Sequence, residues 1–172
     1  MNNRGITLTE LLVVIAVVGI LVIALSFSFQ GWMGRYRVES QIKTIHVDLM
    51  NARATAMTRN RFYLADFPTT TSYRIRVDTN EDNLPLVVAG DTILPTYPKT
   101  VEYAVTWAGG TIQFDKKGIV QPSATPLGGT ICVFTTTDPD YDCIVISQTR
   151  IIMGKLNSQA AGDCDSAHCV KK

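Results

Sequence analysis

Three groups of residues in this 172-residue chain could do chemistry by type and spacing. Glu10 is a carboxylate at the edge of an apolar run from Leu11 to Phe29, which only Gly19, Ser26 and Ser28 interrupt. An ionisable side chain at such a place costs up to about 3.5 kcal/mol at mid-membrane, less near the surface, and is by default a functional pairing group; the plainer reading is an interface marker. Cys132, Cys143, Cys164 and Cys169 all follow the apolar run, and four cysteines allow three connectivities. Asp78, Asn80 and Asp82 place oxygen ligands at alternate residues, as in the first half of a calcium loop. Asn83 then stands where that loop needs glycine, and Ala89 where it needs a bidentate glutamate, so a polar hairpin loop is the competing reading. Asp138, Asp140 and Asp142 form a second carboxylate cluster. No catalytic set emerges. His46 and His168 are the only histidines, Ser147 has no identifiable base, and no phosphate-binding glycine loop, Gly-x-Ser-x-Gly or His-Glu-x-x-His occurs. The sequence argues against an enzyme, and no cofactor is required; calcium is the one it leaves open.

These residues need elements to position them. The apolar run is long enough, at 1.5 Å per helical residue, to match roughly 30 Å of hydrocarbon. No Ala-x-Ala pattern follows Phe29, which argues against a cleaved secretory signal. Beyond Trp32 the helical pattern persists: Val38, Ile42, Ile45, Leu49, Ala52 and Ala56 are spaced by fours and threes, one stripe on one face. Arg35, Arg37, Lys43, Arg53 and Arg59 fall off it. No proline occurs between Ile6 and Phe67, so a continuous helix of about fifty residues is expected, with Gly31 and Gly34 the places for a bend. After Arg61 short β-prone runs alternate with turns: Phe62–Ala65, Tyr73–Val77, Leu86–Ala89, Thr100–Trp107, Thr111–Phe114, Ile119–Val120, Thr130–Phe134, Cys143–Ile146 and Thr149–Met153. The expectation is an α+β chain, a long N-terminal helix packed on an antiparallel head. Leu156 to Lys172 reads as a tail tied by cysteines.

The N-terminal residues Arg4-Gly5-Ile6-Thr7-Leu8-Thr9-Glu10-Leu11-Leu12, leading into an apolar helix, resemble the signal of type IV pilins and type II secretion pseudopilins. The resemblance implies that a prepilin peptidase cuts after Gly5 and N-methylates Ile6, although that family most often has Phe at this position. It implies that Glu10 pairs with the terminal amine of a neighbouring subunit in a filament core. Such a buried pair would set register, because an unpaired member is heavily penalised. The expected organisation is a leader at 1–5, a transmembrane and filament-core half at 6–31, and a periplasmic head at 32–172. Within the head the helix runs to about residue 60, the β structure to about 155, and the tail beyond.

The head is also similar to the GspH/FimT-like branch of that superfamily, through Leu49-x-x-Ala52-Arg53-x-x-Ala56, Ile112-Gln113-Phe114-Asp115-x-x-Gly118, Gly129–Val133, Ile144–Ser147 and Arg150. The branch tends to end in Gly-Arg-x-Arg, where this chain has Thr149-Arg150-Ile151-Ile152. The implied function is a minor pseudopilin or minor pilin, a structural subunit of a filament used in type II protein secretion. The alternative is a minor pilin acting in type IV pilus assembly or as a DNA-uptake receptor. Its implied partners are other pilin-like subunits, the prepilin peptidase, an inner-membrane assembly platform and the bacterial inner membrane, crossed once with the head in the periplasm. The tip-most secretion subunit lacks the glutamate, so Glu10 implies a place below the tip. A binding module on a plain anchor would leave Gly5 and Glu10 unexplained.

A periplasmic head lies in an oxidising compartment, so the cysteines are expected to be disulfide-bonded. Cys132–Cys143 across neighbouring strands, with Cys164–Cys169 stapling the tail, is the favoured pairing. A zinc site using His168 lacks a second close cysteine pair. From Phe62 onward nine Lys and Arg oppose twelve Asp and Glu, a net charge of −3. Arg150 and Lys155 are the candidate phosphate-binding cations, but this balance argues against nucleic acid as a partner.

Overall fold

A computed structural model of the chain describes residues 7–79, 91–107, 109–121, 129–160 and 162–171; the side chains of 24–30 are not among them. One helix, α1 (Leu8–Arg59), runs through 52 residues without a break. At 1.5 Å per residue it is about 78 Å long. Thr7 caps its start: extended at φ −78° and ψ 151°, it accepts the Glu10 backbone N–H on Oγ1. Asn60 ends it in the left-handed region, φ 52°, donating its N–H to the Ala56 carbonyl, and Arg59 lies in the negative final turn.

The second half of α1 carries the head. All six residues of the expected stripe, Val38, Ile42, Ile45, Leu49, Ala52 and Ala56, are buried. They pack against two antiparallel sheets. The first is ordered β3 (Thr92–Ile93), β2 (Ser72–Val77), β1 (Tyr63–Thr69), β6 (Ile112–Phe114) and β7 (Val120–Gln121), with β4 (Lys99–Thr100) also paired to β2. The second is ordered β11 (Cys169–Lys171), β10 (Ile151–Leu156), β9 (Cys143–Ile146), β8 (Gly129–Cys132) and β5 (Thr106–Trp107). Both contribute to the core on the stripe: Tyr63, Ala65, Ile75 and Phe114 from one, Ile131, Val133, Ile144 and Ile146 from the other. The α+β architecture expected from the sequence is the one observed.

Three expectations need correction or placement. The single strand expected over Thr100–Trp107 is divided between the two sheets as β4 and β5. Gln41 holds Tyr103 between them, donating from Nε2 to its carbonyl at 2.8 Å and accepting its N–H at 2.9 Å. The Val105 N–H turns to Thr70 O, at 2.7 Å. The strand expected at Leu86–Ala89 lies outside the described residues. The tail expected from Leu156 onward is tied by its cysteines, and it also carries a strand not expected there, β11, at the edge of the second sheet.

The disulfide pairing also differs. The bridges are Cys132–Cys164 and Cys143–Cys169. Cys132 and Cys143 are direct register partners on β8 and β9. Ile131 and Ile144 belong to the core on α1, so by strand alternation their neighbours Cys132 and Cys143 face away from it. There they form a separate buried cluster with Leu156, Cys164 and Cys169. Each sulfur therefore reaches the segment that covers the outer face, and the covering segment is fastened at two points.

Candidate functional site

Two regions carry groups that the fold itself does not consume. The first is the start of α1. From Leu8 to Ile23 every described side chain is exposed, all round the helix, including Leu11, Leu12, Val13, Val14, Ile15, Val17, Val18, Ile20, Leu21, Val22 and Ile23. A helix apolar on every side belongs inside something apolar. Glu10 sits in its first turn, where the helix dipole favours a carboxylate. Thr7 and Glu10 have capping-box spacing, and the Glu10 N–H to Thr7 Oγ1 bond is 3.3 Å long. That bond uses the Glu10 backbone N–H and places the helix start. Gly5 and Ile6 lie outside the described residues. Among the described residues no helix is long and apolar enough to cross a membrane. The described apolar side chains from Leu8 to Ile23 span only about 24 Å, and the rest of the run falls in 24–30.

The second region is the far end of the head, where the Lys116–Gly118 turn sits on the last turns of α1. Gly118 has φ +72°, and a Cβ there would lie 2.8 Å from Met57 Sδ and 3.2 Å from Arg53 Cγ. Asp115 shapes the turn: its Oδ1 accepts the N–H groups of Lys117 and Ile119, at 2.8 and 2.7 Å, and its Oδ2 accepts Gln121 Nε2. Arg53 Nη1 donates to Thr149 O at 3.0 Å, and Val120 N to Gln148 O at 2.9 Å, tying the β9–β10 turn to the same place. Lys116 Nζ stands 5.8 Å over the Phe62 ring.

The two cations singled out from sequence do not converge. Arg150 is exposed just before β10, while Lys155 lies five residues along that strand, about 17 Å away, and pairs with Asp138 at 2.6 Å. Of the calcium-loop residues, Asp78 is buried after β2 with its N–H on Phe62 O at 3.0 Å. Asn80 and Asp82 lie outside the described residues. Among the described residues no cluster of three or more His, Cys, Asp and Glu could hold a metal. All four cysteines are in disulfides.

One buried polar set was not anticipated. Asp48, on α1, accepts the Tyr73 hydroxyl at 2.5 Å and Lys99 Nζ at 2.7 Å. Burial, then the bond to Asp48, pushes the Tyr73 hydroxyl far above the usual tyrosine range. Burial and then the Asp48 charge do the same to Tyr97. Through Asp48 the Tyr73 hydroxyl and the Lys99 ammonium fasten β2 and β4 to the helix.

Residues 1–26 match the family model described as the prokaryotic N-terminal methylation motif. The N-terminus is type IV prepilin-like. The match covers the exposed apolar helix and Glu10, supports a type IV pilin-like protein, and suggests a structural subunit that is membrane-anchored and then incorporated into a filament. It implies processing by a prepilin peptidase and assembly with other pilin subunits. No curated protein and no solved structure matches the chain.

Proposed function

We propose that the chain is a minor pseudopilin or minor pilin of the GspH/FimT-like branch, a structural rather than catalytic subunit of a filament serving type II protein secretion. The observation that carries this reading is the all-round exposed apolar helix, opened by Glu10, within the methylation-motif match. In the proposed cycle the peptidase cuts after Gly5 and methylates Ile6. The apolar half of α1 holds the subunit in the inner membrane with the head in the periplasm. On assembly Glu10 of an incoming subunit pairs with the terminal amine of its neighbour, below the filament tip. Both groups would be buried, so the pairing penalty selects the register.

Two experiments test it. In a deletion strain, the proteome of the medium is measured and surface pili are counted. Loss of secreted proteins with pili intact supports the secretion reading; loss of pili with intact secretion replaces it with a pilus role. Glu10→Gln keeps a side chain able to serve the capping box but removes the charge. It should insert into the membrane and fail to enter the filament, and normal incorporation would sink the ion-pair account.

A further inference from the structure

Just past the apolar run, α1 presents two large aromatic side chains that the head does not cover. Trp32 is 60% exposed and Tyr36 59%, and their rings stack with centroids 6.1 Å apart and planes at 21°. They lie about 120° and 160° around the helix from Val38 in the buried stripe, so folding of the head leaves them outside. Arg35 stands beside them. Its Nε donates to the Thr137 carbonyl at 2.7 Å, which fixes the root of the guanidinium on the head. Its two terminal nitrogens have no acceptor among the described residues. The next Arg and Lys along the helix, Arg37 and Lys43, face Glu102 and Glu39 at 2.9 and 3.2 Å. Arg35 has no carboxylate partner among the described residues.

The level of these three residues along the rod is defined. A hydrocarbon core of about 30 Å that begins at Leu11 ends near Gly31 at 1.5 Å per residue, and a headgroup layer of about 5–7.5 Å then spans residues 32–36. Trp32, Arg35 and Tyr36 fall in that layer. Tryptophan and tyrosine are enriched there because an apolar ring with one polar N–H or O–H suits both sides of the boundary. An arginine fork matches phosphate oxygens. The head reaches the same level. Thr137 lies on the helix at Gly34, where a Cβ would be 2.9 Å from its Cγ2, and Asp140 N donates to Glu39 Oε1 at 2.9 Å.

We propose that Trp32, Arg35 and Tyr36 form a seat for phospholipid headgroups, with the aromatic pair at the hydrocarbon boundary and the Arg35 fork on a lipid phosphate. The inference rests on the membrane-anchored reading and deepens it: it assigns where on α1 the bilayer surface lies and what holds it there. Continuity favours lipid over a protein partner, since the pair follows the apolar run on the same unbroken helix. Charge bears on the lipid class. One open fork takes one phosphate, which zwitterionic and anionic phospholipids both supply, and neighbouring Arg37 is already matched by Glu102. No preference for anionic lipid is therefore expected, in contrast to polybasic segments. Because Arg35 is also fixed to Thr137, the seat sets the rotation of the head as well as its depth, with loop 135–140 on the bilayer side.

The test uses the full chain, and the Trp32 emission is taken as the parent signal minus that of Trp32→Phe, which removes the Trp107 contribution. In phosphatidylcholine nanodiscs this emission should be quenched more by bromine near the headgroup end of the acyl chain than by bromine near its terminus. Quenching that is equal or stronger at the terminus would place Trp32 in the core. A blue-shifted emission that neither lipid quenches would put a second copy or another protein surface on the pair. Each of these overturns the seat while leaving the anchor intact. Release of the chain from membranes by alkaline carbonate would instead overturn the anchored reading, and the seat with it. The Arg35 arm uses maltoside micelles, with lipid binding followed by the same emission. Phosphatidylethanolamine and phosphatidylglycerol should bind alike, each about tenfold more tightly than diacylglycerol, as one charge-assisted hydrogen bond to phosphate implies. Arg35→Gln keeps a donor for Thr137 but removes the fork, and should abolish that difference; Arg37→Gln should keep it. Diacylglycerol binding as tightly as the phospholipids, or a preference that survives Arg35→Gln, would overturn the phosphate assignment. Displacement of the phospholipids by equimolar inorganic phosphate would make the site one for the free ion and overturn the lipid seat.

Discussion

A Cβ on Gly154 would lie 2.9 Å from Cys169 Sγ and 2.6 Å from the Val170 carbonyl oxygen. Gly154 pairs with Cys143 on one side of β10 and with Lys171 on the other, so the Cys143–Cys169 bridge closes beside the one residue there without a side chain. Gly154→Ala is expected to lower the melting temperature by several degrees, because backbone rather than a flexible side chain must give way. Non-reducing peptide mapping should recover Cys132–Cys164 and Cys143–Cys169. Recovery of a Cys132–Cys143 peptide would contradict the structure.

The bridges close loops of 32 and 26 residues. By chain entropy each is worth about 3–4 kcal/mol. Cys132→Ala with Cys164→Ala should therefore cost about that much in denaturant unfolding while leaving the helical circular dichroism signal in place.

Asp48 holds its charge buried between Tyr73 and Lys99, so Tyr73→Phe should cost about 1–3 kcal/mol, the penalty of under-satisfying a buried polar group. The two raised hydroxyls give a pH test. Both are protonated in the folded and unfolded chain below the ordinary tyrosine value near 10; above it the unfolded chain ionises first. Their contribution to stability is thus complete below about pH 10 and is lost as pH rises further. In an absorbance titration two of the six tyrosines should ionise only with unfolding.

Asp142 is fully buried, and burial raises its pKa above 3.8 despite hydrogen bonds from Leu156 N and Gln159 Nε2. Raised in the folded state, it contributes stability below the ordinary aspartate value, and that contribution is lost as pH climbs through its own. Lys155, paired with Asp138, is the cation facing it. Asp142→Asn removes this pH dependence. Its melting temperature should rise relative to the parent chain between about pH 4 and neutrality; a difference that stays flat would show that burial does not govern this group.

Leu49→Ala should cost about 2–5 kcal/mol, as for a large side chain cut from a packed core. Val47→Ala, two residues away and half exposed, should cost no more than about 0.5 kcal/mol. Equal effects would mean that the stripe does not set the helix's seating.

The helix was legible because its evidence repeats: six apolar residues at threes and fours, no proline, and an uninterrupted pattern across Gly31 and Gly34. The Asp115 to Gly118 turn was legible only as the gap between the runs Thr111–Phe114 and Ile119–Val120. The disulfides were not, because adjacency of Cys132 and Cys143 across strands is a local fact, whereas their partners depend on where the last residues fold. The split of Thr100–Trp107 depends on Gln41, some sixty residues earlier.

The uninterrupted α1 has a mechanical consequence. Val38 to Ala56 span about 27 Å of one rod, and the sheets are fastened to its side along that whole length. A pull along the rod therefore loads the stripe in shear, all contacts at once, rather than peeling them one by one. The first and last turns share one backbone with no loop between them, so tension applied at the head arrives at Glu10 without a compliant joint to absorb it.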